Sequence, residues 1–282
     1  MAMIVVTGAT GALNGATVEH LLKLVPAERI GVSVRDVAKA QHFADRGVRV
    51  RRGSYEEPAA LRQSFEGADQ VLLVSSSDPH ADAVSLHRAG IEAAVAAGAR
   101  RILYTSHQGA GLDSPFHPAR DHAATEALLA ESGVAWTSLR NGFYMHSLEW
   151  MLGPWSESDT IAVPADGPMS WTDRADAAEA AAVILAGERA FDGPVTLTGT
   201  SAVTYDDVAA MLGVGRVVLG DEEWVAAQTA RGVPEFMARF MLTTYQAARE
   251  GRFAGVDPAL TELLGREPRT VADFVTTMRG GV

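Results

Sequence analysis

Residues 7 to 15 read Thr7-Gly8-Ala9-Thr10-Gly11-Ala12-Leu13-Asn14-Gly15, directly after the apolar run Met3–Thr7. Val18, Leu21 and Leu22 follow at helical spacing. Glycines at a strand-to-helix junction let the chain turn tightly and let backbone N–H groups approach a pyrophosphate resting on the helix N-terminus. In this context the run is a dinucleotide-binding fingerprint, with Gly8, Ala9, Thr10, Gly11, Ala12 and Leu13 as phosphate-site candidates. The second strand closes on Val34-Arg35-Asp36. A carboxylate at the strand end would bond the adenosine ribose and favour NAD, whereas an arginine would pair with a 2′-phosphate and favour NADP. Arg35 takes the strand-end position and Asp36 is read as the cap of the next helix. NADP(H) is therefore the preferred cofactor, with NAD(H) as a second.

The rest of the chain narrows the chemistry. There is no cysteine, which removes disulfides, thiolate catalysis and Cys-ligated metal centres. The only lysines are Lys23 and Lys39, so none of the five tyrosines precedes a lysine by four residues. The Tyr-x-x-x-Lys pair that protonates an alkoxide in typical short-chain dehydrogenases is excluded. His80, His87, His117 and His122 have no compact metal-ligand spacing, and no metal is expected. The net charge is −11 and the densest basic cluster, Arg46, Arg49, Arg51 and Arg52, is short, so nucleic acid is not an expected partner. No apolar run reaches the ~20 residues of a membrane span. The N-terminus enters a strand pattern with no basic leader region, which gives a cytoplasmic expectation.

Strands and helices alternate to about residue 140. Strands are expected at Met3–Thr7, Ile30–Val34, Val48–Arg51, Gln70–Val74, Arg101–Thr105 and Trp136–Arg140. Helices are expected at Val37–Asp45, Pro58–Phe65, Ala81–Ala97 and Pro118–Ser132. Such alternation implies an α/β fold with a Rossmann-type doubly wound parallel sheet. The pattern changes after residue 145. Met145–Trp155 reads as one amphipathic segment and Asp159–Trp171 as turn-rich. Asp173–Ala186, Tyr205–Leu212, Asp221–Ala230 and Arg239–Glu250 read as helices, and Pro194–Thr198 as a strand. Residues 1–144 are read as the dinucleotide-binding domain and 145–282 as a smaller α+β C-terminal region, with exchange of strands between them allowed.

Further motifs carry a resemblance. Thr7–Gly11, Arg35, Ser75-Ser76-Ser77, Tyr104-Thr105-Ser106, Leu139–Tyr144, Trp171–Asp176 and the closing Leu263-Leu264-Gly265 together resemble the NmrA-like atypical short-chain dehydrogenases. The resemblance implies a Rossmann domain with a small C-terminal domain and a substrate cleft between them. It also implies reduction of quinones by NADPH without flavin. Two positions depart from the family pattern. Asn14 stands at the third turn glycine, where it either widens the turn or offers its side chain as a cap or phosphate ligand. Ser54 replaces the acidic residue that holds the adenine and could still hydrogen-bond the base.

By the same resemblance Ser75, Ser76, Ser77, Thr105 and Ser106 join the cofactor candidates, and Asn141 would hold the nicotinamide ribose or amide. Against isoflavone-reductase-like proteins, His122 falls near the catalytic lysine and Pro118 at the tyrosine. A quinone needs less help than a ketone, because hydride addition gives a delocalised hydroquinone anion. Phe143 and Tyr144 are expected to wall a small aromatic substrate, with Trp150 beside them. The proton donor or oxyanion partner is left among His122, His107 and the Tyr144 hydroxyl. The expected activity is NAD(P)H-dependent hydride transfer to a quinone or related aromatic carbonyl compound. The alternative is a dinucleotide-binding sensor without turnover. A homodimer is allowed for.

Overall fold

Ile4, Val5, Val6 and Thr7 are all buried, as are all five residues of Ile30–Val34. Strands covered on both faces belong in the middle of a parallel sheet. The computed structural model describes residues 2–76, 78, 80–187 and 189–279. The Rossmann half supplies β1 (Ile4–Thr7), β2 (Ile30–Val34), β3 (Arg49–Arg52), β4 (Gln70–Leu73), β5 (Arg101–His107) and β6 (Ala135–Asn141). Then follow β7 (Phe143–Tyr144), β8 (Thr160–Pro164), β9 (Met169–Thr172), β10 (Gly193–Leu197), β11 (Ala202–Val203) and β12 (Gly215–Leu219). The main sheet runs β10-β6-β5-β4-β1-β2-β3. β1 pairs in parallel with β2 (Ile4↔Ile30) and with β4 (Ile4↔Gln70), so their C-terminal ends share one edge. The fold class read from the alternation is the one observed.

The chain forms two compact units, neither continuous in sequence. Unit 1 comprises Met1–Ser106, Asp121–Arg140 and Ala175–Val195; unit 2 comprises His107–Arg120, Asn141–Arg174 and Thr196–Val282. The core of unit 1 gathers Val5, Phe65, Val71, Ile102, Tyr104 and Leu129. The core of unit 2 is more aromatic and includes Phe143, Trp171, Trp224, Tyr245, Phe253 and Phe274.

Local chemistry explains most element ends. Asp36 accepts the Ala38 N–H at 3.0 Å and caps the 3₁₀ turn Val37–Ala40, as its position predicts. Pro58 opens the helix Pro58–Ser64. Thr204 and Asp207 form a capping box at Tyr205–Leu212, and Gly213 at φ +67° ends it.

Several expectations are corrected. The Met145–Trp155 segment is not continuous. It divides into Met145–Ser147, Leu148–Met151 and Trp155–Ser158, because Gly153 takes φ +65° and Pro154 cannot continue a helix. Asp159–Trp171 holds two strands, β8 and β9, flanking the Pro164–Pro168 turn. β8 pairs in parallel with β12, a contact no local pattern announces. The helix expected from Arg239 starts at Glu235, immediately after Pro234. Among the described residues no helix is long and apolar enough to cross a membrane.

Candidate functional site

The Gly8–Leu13 turn lies at the C-terminal end of β1, in unit 1. Gly8 holds φ +64°, and a Cβ there would stand 2.6 Å from Val74 Cγ1. Gly11 N–H closes the turn on Gly8 O at 2.9 Å. The helix Ala12–Leu24 begins at Gly11 with no side chain capping its first N–H groups and no acidic residue in its first turn. An uncapped helix N-terminus beside glycine backbone is a cradle for an anion. Asn14 is buried and donates Nδ2–H to Thr7 O at 2.8 Å, so its amide ties the turn to the strand, while Oδ1 has no hydrogen-bond partner among the described residues. Close approach passes to Gly15, where a Cβ would meet Ala9 O at 2.9 Å.

The other unit 1 candidates line the same edge of the sheet. Arg35 is exposed and makes no ion pair or hydrogen bond among the described residues. Its neighbours in the basic cluster are all committed: Arg46 to Glu19, Arg51 to Glu66, Arg52 to Glu57, and Arg49 to the Glu66 carbonyl. Ser54 follows β3, and its hydroxyl accepts the Glu56 N–H at 3.3 Å. Ser75 N–H donates to Thr105 Oγ1 at 2.8 Å, and Ser76 N–H donates to His87 Nε2 at 2.8 Å. Ser106 donates to Glu126 Oε1 at 2.8 Å. His122 places Nδ1 2.8 Å from the Tyr104 hydroxyl. Ser77 lies outside the described residues.

Unit 2 holds a second group. Asn141 Nδ2–H donates to the Tyr144 hydroxyl at 3.0 Å, leaving that hydroxyl's own proton to be donated elsewhere. Asn141 is buried, and among the described residues its Oδ1 has no hydrogen-bond partner. Burial raises the Tyr144 phenol to about 12, against smaller opposing effects of Asn141 and Arg174. His107 is ringed by Phe116, Phe143 and Phe253 at centroid distances of 5.7, 5.4 and 5.1 Å. Burial lowers its imidazole to about 4. Gly109 N–H donates to its Nδ1 at 3.0 Å, which assigns the ring proton to Nε2. At neutral pH this ring offers a hydrogen bond, not an imidazolium proton. Trp150 is 48% exposed and makes no ring contact or hydrogen bond with this group among the described residues.

Two members escaped the reading of the chain. The His146 ring lies 5.7 Å from that of Tyr144, its plane at 30° to it. Arg174 stands 3.3 Å from His146 Nε2; burial first, and then the Arg174 charge, lower the His146 imidazole. The Met145–Tyr144 neighbourhood alone offers no signal for this, since the partner arginine is 28 residues away. Among the described residues no group of three or more His, Asp or Glu side chains could hold a metal ion.

The NmrA-like family model matches residues 1–275 of this chain. Quinone oxidoreductase 2 of Escherichia coli (strain K12) is 36% identical over 282 residues, covering 97% of this chain and 98% of that protein. The crystal structure of NADPH-dependent quinone oxidoreductase QOR2 from Escherichia coli complexed with NADPH matches with a TM-score of 0.91 at 35% identity, covering 98% and 100% of the two chains. An NAD(P)H azoreductase of Xenophilus azovorans is 32% identical, with 96% of each chain covered. The Citrobacter sp. triphenylmethane reductase complexed with NADP(H) matches with a TM-score of 0.88 at 32% identity, over 97% and 99% of the chains.

Proposed function

The chain belongs to the NmrA-like family, and on that premise we propose an NAD(P)H-dependent reductase that passes hydride to a quinone or related aromatic carbonyl compound. NADP(H) is its preferred cofactor, NAD(H) a second, and neither flavin nor metal takes part. The observation that carries this reading is the uncapped helix N-terminus behind the Gly8–Gly11 turn, with an exposed Arg35, unpaired among the described residues, at the end of the neighbouring strand β2. The sensor alternative is not favoured, because relatives that align over nearly the whole chain are named as reductases.

When bound, the nicotinamide supplies the hydride. The residues of this chain do the rest. Gly8–Leu13 receive the pyrophosphate on backbone N–H groups, Arg35 the 2′-phosphate, and Ser54 the adenine. Ser75, Ser76, Thr105 and Ser106 are assigned to the nicotinamide half, with Asn141 Oδ1 as an acceptor for its ribose or amide. Phe143 and Tyr144 wall the aromatic substrate. The Tyr144 hydroxyl is assigned as the proton donor: Asn141 orients it, and burial, which raises it to about 12, keeps it protonated at neutral pH. His107 serves as a neutral donor to a developing oxyanion, and His122 orients Tyr104.

The test is loss of NADPH absorbance against benzo-, naphtho- and anthraquinones with no flavin added, with NADH in parallel. Turnover is expected. Tight cofactor binding with no turnover across the panel would sink the reductase reading. Arg35→Ala is expected to weaken NADPH about tenfold to a hundredfold, the worth of a lost charge-assisted contact, and to leave NADH within about twofold. Equal weakening of both would remove Arg35 from the phosphate site. Tyr144→Phe keeps the ring and deletes the proton; kcat should fall about a hundredfold. An unchanged kcat would move the donor to His122 or to solvent.

A further inference from the structure

Beyond β4 the chain leaves the sheet, and three successive N–H groups lose their strand partners. Each is taken instead by a buried side chain from a different element. Val74 N–H donates to Thr7 Oγ1, Ser75 N–H to Thr105 Oγ1 and Ser76 N–H to His87 Nε2, all at 2.8 Å. The Tyr55 hydroxyl donates to Val74 O at 2.8 Å, closing the fourth side. The loop held in this way carries the Val74 side chain, which roofs Gly8 so closely that a Cβ has no room. The Val74–Ser76 N–H groups are therefore already used. What the loop offers a ligand is its serine hydroxyls, its carbonyls and the shape of the roof.

His87 is the imidazole of this ladder, and its ring nitrogens fix which groups it can bond. It is 2% exposed. Since Nε2 accepts from Ser76, the proton resides on Nδ1, which donates to Thr125 Oγ1 at 2.8 Å. Thr125 in turn donates to Asp121 O at 2.7 Å. The run Ser76 N–H, His87, Thr125, Asp121 C=O satisfies only the neutral imidazole with its proton on Nδ1.

We propose that His87 is a positioning residue for cofactor binding: its neutral ring pins the Val74–Ser76 loop at the register that roofs the Gly8 turn. This rests on the cofactor reading of that turn given above. The charged and titratable groups around the ring are consistent with it. Asp82 caps the same helix, Ala83–Ala96. The Tyr104 ring faces it from β5 at 5.2 Å, and the Tyr55 ring from the loop after β3 at 6.4 Å. The Tyr104 hydroxyl lies 3.4 Å from His87 Nδ1 and 2.8 Å from His122 Nδ1, on the helix His117–Glu131 that also carries Asp121 and Thr125. Burial lowers the His87 imidazole to about 4, outweighing the Asp82 charge that would raise it. The ladder thus stays intact from neutral pH down to that value. Protonation below it would set a second N–H against the Ser76 N–H and free the loop.

The test uses the full chain, NADPH as the probe, and two substitutions. His87→Ala is expected to weaken NADPH binding about tenfold or more by fluorescence titration. His87→Gln supplies an acceptor and a donor at similar reach and should recover binding to within about threefold of the parent. Should the alanine variant not fold, ¹⁵N NMR of the parent protein decides. The His87 ring should show the Nδ1–H tautomer, unprotonated, down to about pH 5. An Nε2–H tautomer, or a ring protonated at about pH 6, would overturn the proposal. So would an alanine variant that binds NADPH like the parent, or a glutamine variant as impaired as the alanine one. A parent protein that binds neither NADPH nor NADH would instead overturn the cofactor reading of the turn, and this inference with it.

Discussion

Gly8→Ala is expected to cost about two orders of magnitude in NADPH affinity, or about 2.7 kcal/mol. Two costs combine. An alanine held at φ +64° pays about 1–2 kcal/mol for the left-handed conformation. Its methyl would also stand 2.6 Å from Val74 Cγ1, well inside contact distance. Val74 has little freedom to yield, because its N–H is bonded to Thr7 and its carbonyl to Tyr55, and its β-branched side chain has few rotamers. The turn must therefore move, and the N–H groups proposed to receive the pyrophosphate move with it. Calorimetric titration with NADPH checks this alongside a melting curve. A variant that binds within about threefold of the parent would show that the turn's backbone does not set the phosphate site.

The second large effect belongs to Glu126, a buried carboxylate on the helix His117–Glu131. Its Oε1 receives Ser106 Oγ–H at 2.8 Å, Ser138 Oγ–H at 2.6 Å and Arg140 Nε–H at 2.9 Å, while Oε2 pairs with the other arm of Arg140. One side chain thus ties the ends of β5 and β6, the two strands that lead into His107 and Asn141. Glu126→Ala leaves a 28% exposed Arg140 without its counter-ion and two hydroxyls without their acceptor. The loss of stability should be about 3 kcal/mol, the lower end for breaking a buried ion pair because Arg140 keeps some solvent. Glu126→Gln retains an acceptor for the two serines and should lose about half as much. Urea unfolding of the three proteins checks the order. A loss below about 1 kcal/mol in the alanine variant would mean that water replaces the carboxylate freely.

The elements around the turn proposed to bind the cofactor are largely legible in the residue order. The buried run at β1, the glycine turn and the first helix announce themselves through period and residue type within twenty residues. The same holds for the Asp36 cap and for both ends of Tyr205–Leu212. Arg35 is legible as a type at a position, and the tertiary structure adds that it makes no ion pair among the described residues, while the arginines at 46, 49, 51 and 52 are spent. The weaker pattern after residue 145 misled, because β8 and β9 flank a proline-rich turn and read as loop. β8 finds its partner β12 about fifty residues later.

What the amino-acid order determines by itself is therefore the alternation of strands and helices, the glycine turn after β1 and the absence of a Tyr-x-x-x-Lys pair. Each follows from backbone geometry and side-chain type over a few residues. What only the tertiary structure decides is which polar atoms are already satisfied. Val74 and Thr7 are 67 residues apart, His87 and Thr125 38, Ser106 and Glu126 20. No periodicity links such pairs. They meet because the crossovers of a parallel sheet carry distant segments to one edge, where burial obliges every N–H and carboxylate to find a partner.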